Sequence, residues 1–350
     1  MTILFILLAT LLLGLLIVAH EWGHYMTARA LGIAVKEFSV GFGPKLRQWK
    51  SKKRDTVYSL RGIPLGGYCA FYEDGADELK PGDPRRFASA AVWKRMLVVL
   101  AGSVMNVVLA FVLAVGLHLM FSAVAAQPLI EAVTPGSPAA EAGIQPGDVL
   151  LRAGDMDVGV GEAAKLSSAV DLLGDGEPLR LTVERNGEPL TFSVTPKYDD
   201  AEGRRLIGVS IVAYTRPTFI QAVGGAWESC VYASTAIVQS LGRLVFHGEG
   251  AEDVSGPVGV VQIIAEQTRT GGAYMYISLA VLISINLGLF NLLPVPGLDG
   301  SRFLFLLAEA VRRKPVNQRL ENAVHMAGFA LLLGLMILFT FRDIRRLFGG

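Results

Sequence analysis

Residues 1–26 read MTILFILLATLLLGLLIVAHEWGHYM, and this stretch decides the fold: an uncharged apolar run leads directly into His20, Glu21 and His24. On a helix, His20 and His24 lie four residues apart on one face, so both imidazoles can reach one metal ion. Glu21 lies beside them, where a carboxylate can take a proton from a water on such a metal. Because ionisable side chains inside a bilayer are costly and usually mark function, the stretch predicts metal chemistry at membrane depth.

The composition is too apolar for an ordinary soluble protein. Of the 350 residues, 52% are hydrophobic and 18% are charged. The net charge of +1 hides a segregation of charge along the chain. Residues 36–95 contain 13 Lys and Arg against 7 Asp and Glu, whereas residues 122–216 contain 8 against 14. The two cysteines, Cys69 and Cys230, have no metal-type spacing, and we interpret both as packing residues.

Four stretches are long enough to span a bilayer, which needs about 20 apolar residues. They are residues 1–31, residues 96–121, a segment within 271–298, and residues 322–341. The alternative for the first stretch is a cleaved signal peptide. No basic region precedes its apolar run and no small-residue cleavage site follows it, so we expect a retained span.

The basic residues predict the orientation of these spans, because cytoplasmic loops carry an excess of Lys and Arg. The basic loop at 36–95 is expected to face the cytoplasm, which places residues 122–270 and both termini on the outer side. Arg342, Arg345 and Arg346 near the C-terminus argue weakly for the opposite orientation. The prediction therefore rests mainly on the first loop.

A second group of residues lies at the end of the third span, where residues 291–300 read NLLPVPGLDG. Pro294 and Pro296 remove backbone donors and clash with a continuing helix, so the helix must unwind here. Unwound backbone at membrane depth is tolerated where it is buried in protein or lines a watery cavity. Since the first and third spans run in the same direction, Asp299 is expected at the depth of the histidines, as a third zinc ligand. The alternative is that Asp299 caps the connection and pairs with Arg302.

These motifs resemble the site-2 protease family of intramembrane zinc metalloproteases, of the bacterial regulator-of-sigma-E protease type with a single PDZ domain. The resemblance covers nearly the whole chain and rests on residues 20–24, the stretch AGSVMN at 101–106, a PDZ-like segment and residues 291–300. It implies one Zn²⁺ held by His20, His24 and Asp299, with Glu21 as the general base. Ser103 and Ser301 depart from the family pattern, which usually has Pro and Gly there.

The resemblance also suggests residues that accept the substrate strand, namely Asn291, Pro294 and Pro296. Asn106, in the second span, is a further substrate-side candidate close to the active site. The alternative for Asn106 is an amide that bonds to a neighbouring helix for packing alone.

The basic loop contains segments at 38–47 and 56–73 that read as β-hairpin structure dipping into the membrane interface. An exposed edge strand there can pair with an extended substrate segment. The alternative is an ordinary cytoplasmic hairpin without a substrate role.

Residues 127–198 have the turn chemistry of a small β-rich domain, including the hairpin turn signal Arg185-Asn186-Gly187-Glu188. This segment resembles a PDZ domain, which binds peptide ends by strand addition; the alternative is a spacer that binds no ligand. Residues 219–246 are apolar but interrupted by Glu228 and Arg243, and predict an amphipathic helix on the outer leaflet.

The expected fold class is a mainly α membrane protein: four transmembrane helices, a membrane-associated β-hairpin region and one inserted extracytoplasmic PDZ-like α+β domain. The expected boundaries are 1–35 for the first span with the zinc motif, 36–92 for the cytoplasmic loop with the hairpin, 93–122 for the second span, 123–215 for the PDZ-like domain, 216–270 for the interfacial helix and linker, and 271–350 for the third and fourth spans with the Asp ligand.

The expected function is intramembrane zinc endopeptidase activity on single-span membrane proteins, after a first external cleavage. Family resemblance suggests regulated proteolysis, with an anti-sigma factor or signal-peptide remnants as substrates. The expected location is the bacterial cytoplasmic (inner) membrane, with the zinc site near its cytoplasmic side. The bilayer is an expected partner and nucleic acid is not. One alternative is a catalytically inactive PDZ-bearing scaffold or receptor; a transporter built on the broken third helix is disfavoured because the chain lacks internal repeats.

Overall fold

The computed structural model describes residues 2–51, 56–72, 79, 83–174, 176–200, 202–249 and 255–347. The chain divides into two compact units, of which one comprises Met1–Leu117 with Val223–Gly350 and the other His118–Ala222. In chain order the elements are α1 Thr2–Ala30, β1 Val35–Lys50, β2 Val57–Phe71, α2 Val92–Phe121, β3 Val124–Val133, α3 Pro138–Glu141, β4 Val149–Ala153, β5 Met156–Asp157, α4 Ala164–Asp171, β6 Leu179–Arg185, β7 Glu188–Val194, β8 Lys197–Asp199, β9 Arg204–Leu206, β10 Val209–Thr215, α5 Phe219–His247, α6 Pro257–Asn291, α7 Asp299–Arg312 and α8 Gln318–Leu347.

Among the described residues, four helices are long and apolar enough to cross a membrane, and the chain is a multi-pass membrane protein. The spans are Ile3–Ala30, Val92–Phe121, Pro257–Asn291 and Arg319–Arg346, in agreement with the four predicted stretches. The helix Phe219–His247 lies where an amphipathic helix was predicted and is not among these spans.

Two features of the third and fourth spans differ from the expected boundaries. The helix α6 already begins at Pro257, inside the segment assigned to a linker, and its backbone leaves the helical region once, at Gly272 (φ 58°, ψ −147°). No secondary structure was assigned from the sequence to the connection after the proline break, and the structure has the helix α7 there, from Asp299 to Arg312. Its buried residues are Gly300, Ser301 and Leu306, so α7 packs one face against the protein.

Asp343 on α8 caps the start of α6. Its carboxylate accepts hydrogen bonds from the backbone N–H groups of Gly256, at 3.2 Å, and Gly259, at 2.7 Å. Asp343 is only 4% exposed, and a carboxylate next to a helix N-terminus is stabilised by the orphan N–H groups and the helix dipole. This contact accounts for the glycines of the stretch Ser255-Gly256-Pro257-Val258-Gly259, which no sequence argument explained.

The loop between the first two spans contains the predicted β-structure. Strands β1 and β2 pair antiparallel, and register shifts place part of β1 between two segments of β2, since Phe38 faces both Tyr58 and Cys69. Glu37 at the centre of this sheet accepts hydrogen bonds from Ser59 and Arg61. Residues 73–78 and 80–82 of the expected loop lie outside the described part of the chain.

The unit that comprises Met1–Leu117 and Val223–Gly350 contains the four spans and is called the membrane unit. Its core is built largely from α1. Small and branched residues of α1 pack against α6 in one cluster, whose buried members are Ala9, Leu12, Leu16, Ile264, Ala265 and Ala280. A second cluster joins the end of α1 to β1, α2 and α7, and it includes Tyr25, Ile33, Phe38, Val98 and Leu306. The helix that carries the histidines is therefore fixed on several sides.

The second unit folds around a sheet with the strand order β10-β3-β4-β6-β7, in which β5 pairs with β4. Its core residues come from the strands and from α3 and α4, and they include Ile130, Leu150, Leu166, Val170, Leu181 and Val183. The predicted hairpin turn is present, because β6 and β7 pair from Arg185 and Glu188 outward. Asn186 (φ 56°) and Gly187 (φ 83°) adopt the positive φ angles of a two-residue turn.

Candidate metal centre and active site

Three side chains that are far apart in the sequence meet at one point in the membrane unit. His20 and His24 lie one turn apart on α1, with their Nε2 atoms 3.2 Å from each other. Asp299, the first residue of α7, places its Oδ2 atom 3.0 Å from Nε2 of His20 and 3.2 Å from Nε2 of His24. The structure therefore brings together the three residues that sequence analysis proposed as a ligand set.

The spacing of these atoms fits a zinc ion. Ligands about 2.0–2.1 Å from a tetrahedral zinc lie roughly 3.3 Å from one another, close to the observed separations. Two imidazole nitrogens and one carboxylate oxygen are a donor set for a catalytic zinc with an open fourth position.

The second ring nitrogen of each histidine has its own partner on α2. Nδ1 of His24 donates to the carbonyl oxygen of Val98 at 2.8 Å, which leaves the Nε2 lone pair directed at the metal position. Nδ1 of His20 lies 3.4 Å from Nδ2 of Asn106, whose Oδ1 is buried and has no hydrogen-bond partner among the residues that the structure describes. The Oδ1 and Nδ2 atoms of an asparagine side chain can be exchanged by a 180° rotation of the amide. In the rotated orientation, Oδ1 of Asn106 would accept a hydrogen bond from Nδ1–H of His20.

Two glycines bring α2 close to the histidines. A Cβ atom on Gly102 would lie 2.6 Å from Cε1 of His24 and 2.7 Å from Cε1 of His20. Both imidazoles therefore pack directly against the backbone of Gly102, where no side chain fits. On the facing helix, a Cβ on Gly23 would lie 2.8 Å from Cβ of Met105. The glycine inside the motif at 20–24 therefore serves helix packing, whereas Gly102 makes room for the proposed ligands.

Glu21 lies at the junction of α1 and β2. Its carboxylate faces the backbone N–H of Cys69 on β2. Cys69 pairs with Phe38 on the other side, so this part of β2 connects the sheet to the carboxylate. The strand thereby fixes the position of the predicted general base.

A cavity of about 320 Å³ opens next to these residues. Its described lining includes all four predicted metal and base residues, both predicted asparagines, two residues of β2 and one arginine: His20, Glu21, His24, Asp299, Asn106, Asn291, Cys69, Phe71 and Arg302.

The two predicted substrate-binding prolines lie outside that lining. Pro294 and Pro296 follow the end of α6 at Asn291, as the predicted break requires. Pro296 packs against α8, where a Cβ on Gly328 would overlap its backbone. Their contact with a substrate stays a prediction, as do those of Asn291 and Asn106.

Sequence reasoning did not find Arg302 and Gly102 as parts of the site. Arg302 follows Asp299 by three residues, a spacing that places both on one helix face, but no helix was assigned to this connection from the sequence. No sequence signal separates Gly102 from the other glycines of an apolar helix.

Comparisons with known proteins agree over nearly the whole chain. A family model described as Peptidase family M50 matches residues 8–335. A candidate zinc metalloprotease from Clostridium acetobutylicum is 34% identical over 341 residues, covering 97% of each chain. The regulator of sigma-W protease RasP from Bacillus subtilis is 29% identical over 422 residues, covering 97% of each. A solved PDZ domain of an SdrC-like protein from Listeria monocytogenes matches 25% of this chain and 87% of its own, at 14% identity and a TM-score of 0.22.

Proposed function

Because this chain belongs to peptidase family M50 and is a zinc metalloprotease, we propose that it hydrolyses peptide bonds inside the transmembrane segments of single-span membrane proteins. The observation that carries the proposal is the convergence of His20, His24, Asp299 and Glu21 on one cavity in a unit built from apolar helices.

The proposed ligands are His20, His24 and Asp299, with Glu21 as general base and acid. Bound zinc supplies Lewis acidity toward water and toward a peptide carbonyl. The carboxylate of Glu21 takes one proton from the attacking water and later delivers it to the nitrogen of the leaving amine. Glu21 and Cys69 of β2 line the same cavity wall, which places this carboxylate beside the reacting groups.

The strand β2 is the proposed docking edge for the substrate. A transmembrane helix must unwind before a protease can reach its backbone, and the exposed backbone groups then need new partners. The end of β2 carries Cys69 and Phe71 on the cavity wall, so a segment added along this edge would pass the base and the ligands. Asn291 lines the same cavity and is the proposed partner of that segment on α6.

The second unit is the proposed recognition module. Its five-strand path with two short helices supports a PDZ-like domain, and we place it outside the membrane with both chain termini. In this proposal it reads the trimmed outer end of a substrate left by a first cleavage. A relative is named a regulator of sigma-W protease, which supports regulated proteolysis in the bacterial inner membrane, with anti-sigma factors as one candidate substrate class.

The alternative of an inactive scaffold is disfavoured by family membership and by the position of Glu21, since a purely structural zinc needs no adjacent base.

The test is cleavage of a tagged single-span helical protein by the purified chain in detergent, with the cut mapped by mass spectrometry. We expect a cut within the apolar segment near its cytoplasmic end, loss of cleavage with chelator, and recovery when zinc is restored. A cut confined to soluble flanks, or one that persists without zinc, would contradict the proposal.

A further inference from the structure

We propose that Arg302 is a further catalytic residue, whose guanidinium stabilises the negative charge that develops on the carbonyl oxygen of the bond being cut. This inference rests on the proposed proteolytic function and assigns a role to a side chain that the zinc and general-base chemistry leaves unexplained.

The first observation is the position of Arg302 on the cavity wall. It lines the same cavity as His20, Glu21 and Asp299. Among the described residues of that lining, it is the one Lys or Arg side chain. It follows Asp299 by three residues in α7, and residues with this spacing are neighbours on one helix face. The fold thus places a permanent positive charge beside the reaction chamber.

The second observation is the aromatic support of the guanidinium. Cζ of Arg302 lies 4.7 Å from the ring centroid of Phe87, which is itself 4% exposed. Phe87 stacks on Phe71 of β2 with ring centroids 4.9 Å apart, and Phe71 is part of the cavity wall. A cation over an aromatic face is held without using up all of its N–H groups, because a guanidinium has five of them. Arg302 can therefore keep its protein contacts and bind a further acceptor.

The third step is the charge balance of peptide hydrolysis. When the water oxygen forms its bond to the carbonyl carbon, the C=O π pair moves onto the carbonyl oxygen, and one water proton goes to Glu21. When the C–N bond breaks, its electron pair leaves with nitrogen, which receives the proton from Glu21, and the carbonyl re-forms in the carboxylic acid product.

During this sequence the carbonyl oxygen gains negative charge close to the carboxylate of Asp299, while Glu21 holds the transferred proton. The Asp299 carboxylate disfavours a new negative charge, whereas a cation and N–H donors favour it in a cavity of low dielectric. Arg302 supplies both, since its guanidinium is a delocalised cation that carries several N–H donors.

The test compares the native chain with Arg302→Gln, Arg302→Lys and the control Arg312→Gln, which removes an exposed arginine from the last turn of the same helix. Each purified variant is assayed for bound zinc, thermal stability, and kcat and KM on the tagged single-span substrate. Each is also assayed for affinity to a phosphinic peptide with the sequence of the cleavage site, which mimics the charged oxygen.

We expect Arg302→Gln to lower kcat by about 10²–10³-fold, the loss typical of one oxyanion donor, with KM and zinc content close to native. Phosphinic peptide affinity should fall in parallel with kcat/KM, because the analogue carries the charge that substrate lacks. Arg302→Lys should retain part of the activity, and Arg312→Gln should behave as native.

Three results would overturn the inference. One is a kcat of Arg302→Gln within a few-fold of native. Another is a loss that follows zinc content or folding in both Arg302 variants, which would make Arg302 a structural partner of Asp299. The third is a loss that appears in KM alone with unchanged phosphinic peptide affinity. Failure of the native chain to cut the substrate would instead contradict the proposed function itself.

Discussion

Asp299 and His20 are 279 residues apart in the sequence, yet their side chains lie 3.0 Å from each other, Oδ2 to Nε2. The contact joins the first apolar helix to the short helix that follows the proline break. Buried polar side chains that face each other are stabilised when a cation lies between them. His24 provides the third ligand atom next to those of His20 and Asp299, so the three side chains can surround one zinc ion.

Replacing Asp299 by Ala is expected to remove zinc from the purified chain, because two histidines alone leave the ion one protein ligand short of a catalytic site. The measurement is metal content per chain after dialysis, for the native protein and for Asp299→Ala. Glu266→Gln is the matched control, since Glu266 pairs with Arg269 at the surface of α6, away from the cavity. Zinc retained at the native level by Asp299→Ala would contradict the ligand assignment.

Gly102→Ala is expected to abolish zinc binding without changing any proposed ligand. The new methyl group would lie 2.6 Å from Cε1 of His24, so the imidazoles must move away from the position where both can bind one zinc ion. Gly116→Ala serves as the control on the same helix, because a Cβ there meets no atom within 4 Å. Zinc content and cleavage should fall for Gly102→Ala alone. Equal zinc content and cleavage in the two variants would show that Gly102 does not lie against the imidazoles of His20 and His24.

Asn106→Leu is expected to weaken zinc binding by about 10–100-fold, the usual effect of removing a residue that orients a ligand histidine. The variant keeps the branching at Cγ but leaves Nδ1 of His20 without its polar neighbour at 3.4 Å. Competition with a chelator of known affinity measures the change. Ser103→Ala, one turn earlier, removes a buried hydroxyl with no protein partner and should bind zinc as native. If Asn106→Leu changes KM alone, Asn106 contacts substrate rather than His20.

The second unit is expected to lose stability in acid through one ion pair. Asp148 is almost fully buried, and its two carboxylate oxygens accept from Nε and Nη2 of Arg185, each at 2.7 Å. Burial alone would raise the pKa of Asp148, but the bonds from Arg185 and from the backbone N–H of Gln145 lower it on balance. A lowered folded-state pKa stabilises the fold above the unfolded-state pKa of about 3.9, and this contribution disappears as the pH falls through the folded value.

Hydrogen exchange of the β6–β7 hairpin in the intact chain measures this effect. At pH 6 the hairpin of the native protein should be better protected than that of Asp148→Asn, by an amount on the order of 2 kcal/mol for hydrogen bonds between charged groups. Below the unfolded-state pKa of about 3.9 the difference should shrink, and the two proteins should converge once the pH is below the folded-state pKa of Asp148. The control Glu162→Gln removes an exposed pair with Lys165 and should change little. A protection difference that stays constant down to pH 2 would contradict the assignment.

Sequence patterns predicted the parts of the fold and site that depend on local spacing or local chemistry. The four spans follow from length and hydropathy, the His20–His24 pair from helical periodicity, and the end of α6 from Pro294 and Pro296. Asp299 could be predicted as a ligand because the proline break after the third span lies at the same expected membrane depth as His20 and His24 in the first span.

The remaining features depend on contacts between distant segments, which no local pattern encodes. The partner of Gly256 is Asp343, 87 residues further along, and the support of Arg302 is Phe87 on a different element. The helix at residues 299–312 packs one face against the protein through Gly300, Ser301 and Leu306. The role of Gly102 follows from two imidazoles on another helix.

The most direct test of the central claim is the cleavage rate of Glu21→Gln, measured beside its zinc content and that of the native chain. Glutamine fills the same space but cannot take a proton from water. The account predicts native zinc content with cleavage of the single-span substrate reduced by about 10²–10⁴-fold, the range typical for loss of general acid–base catalysis. Native cleavage by Glu21→Gln with full zinc would contradict the assignment of this site as the catalytic centre.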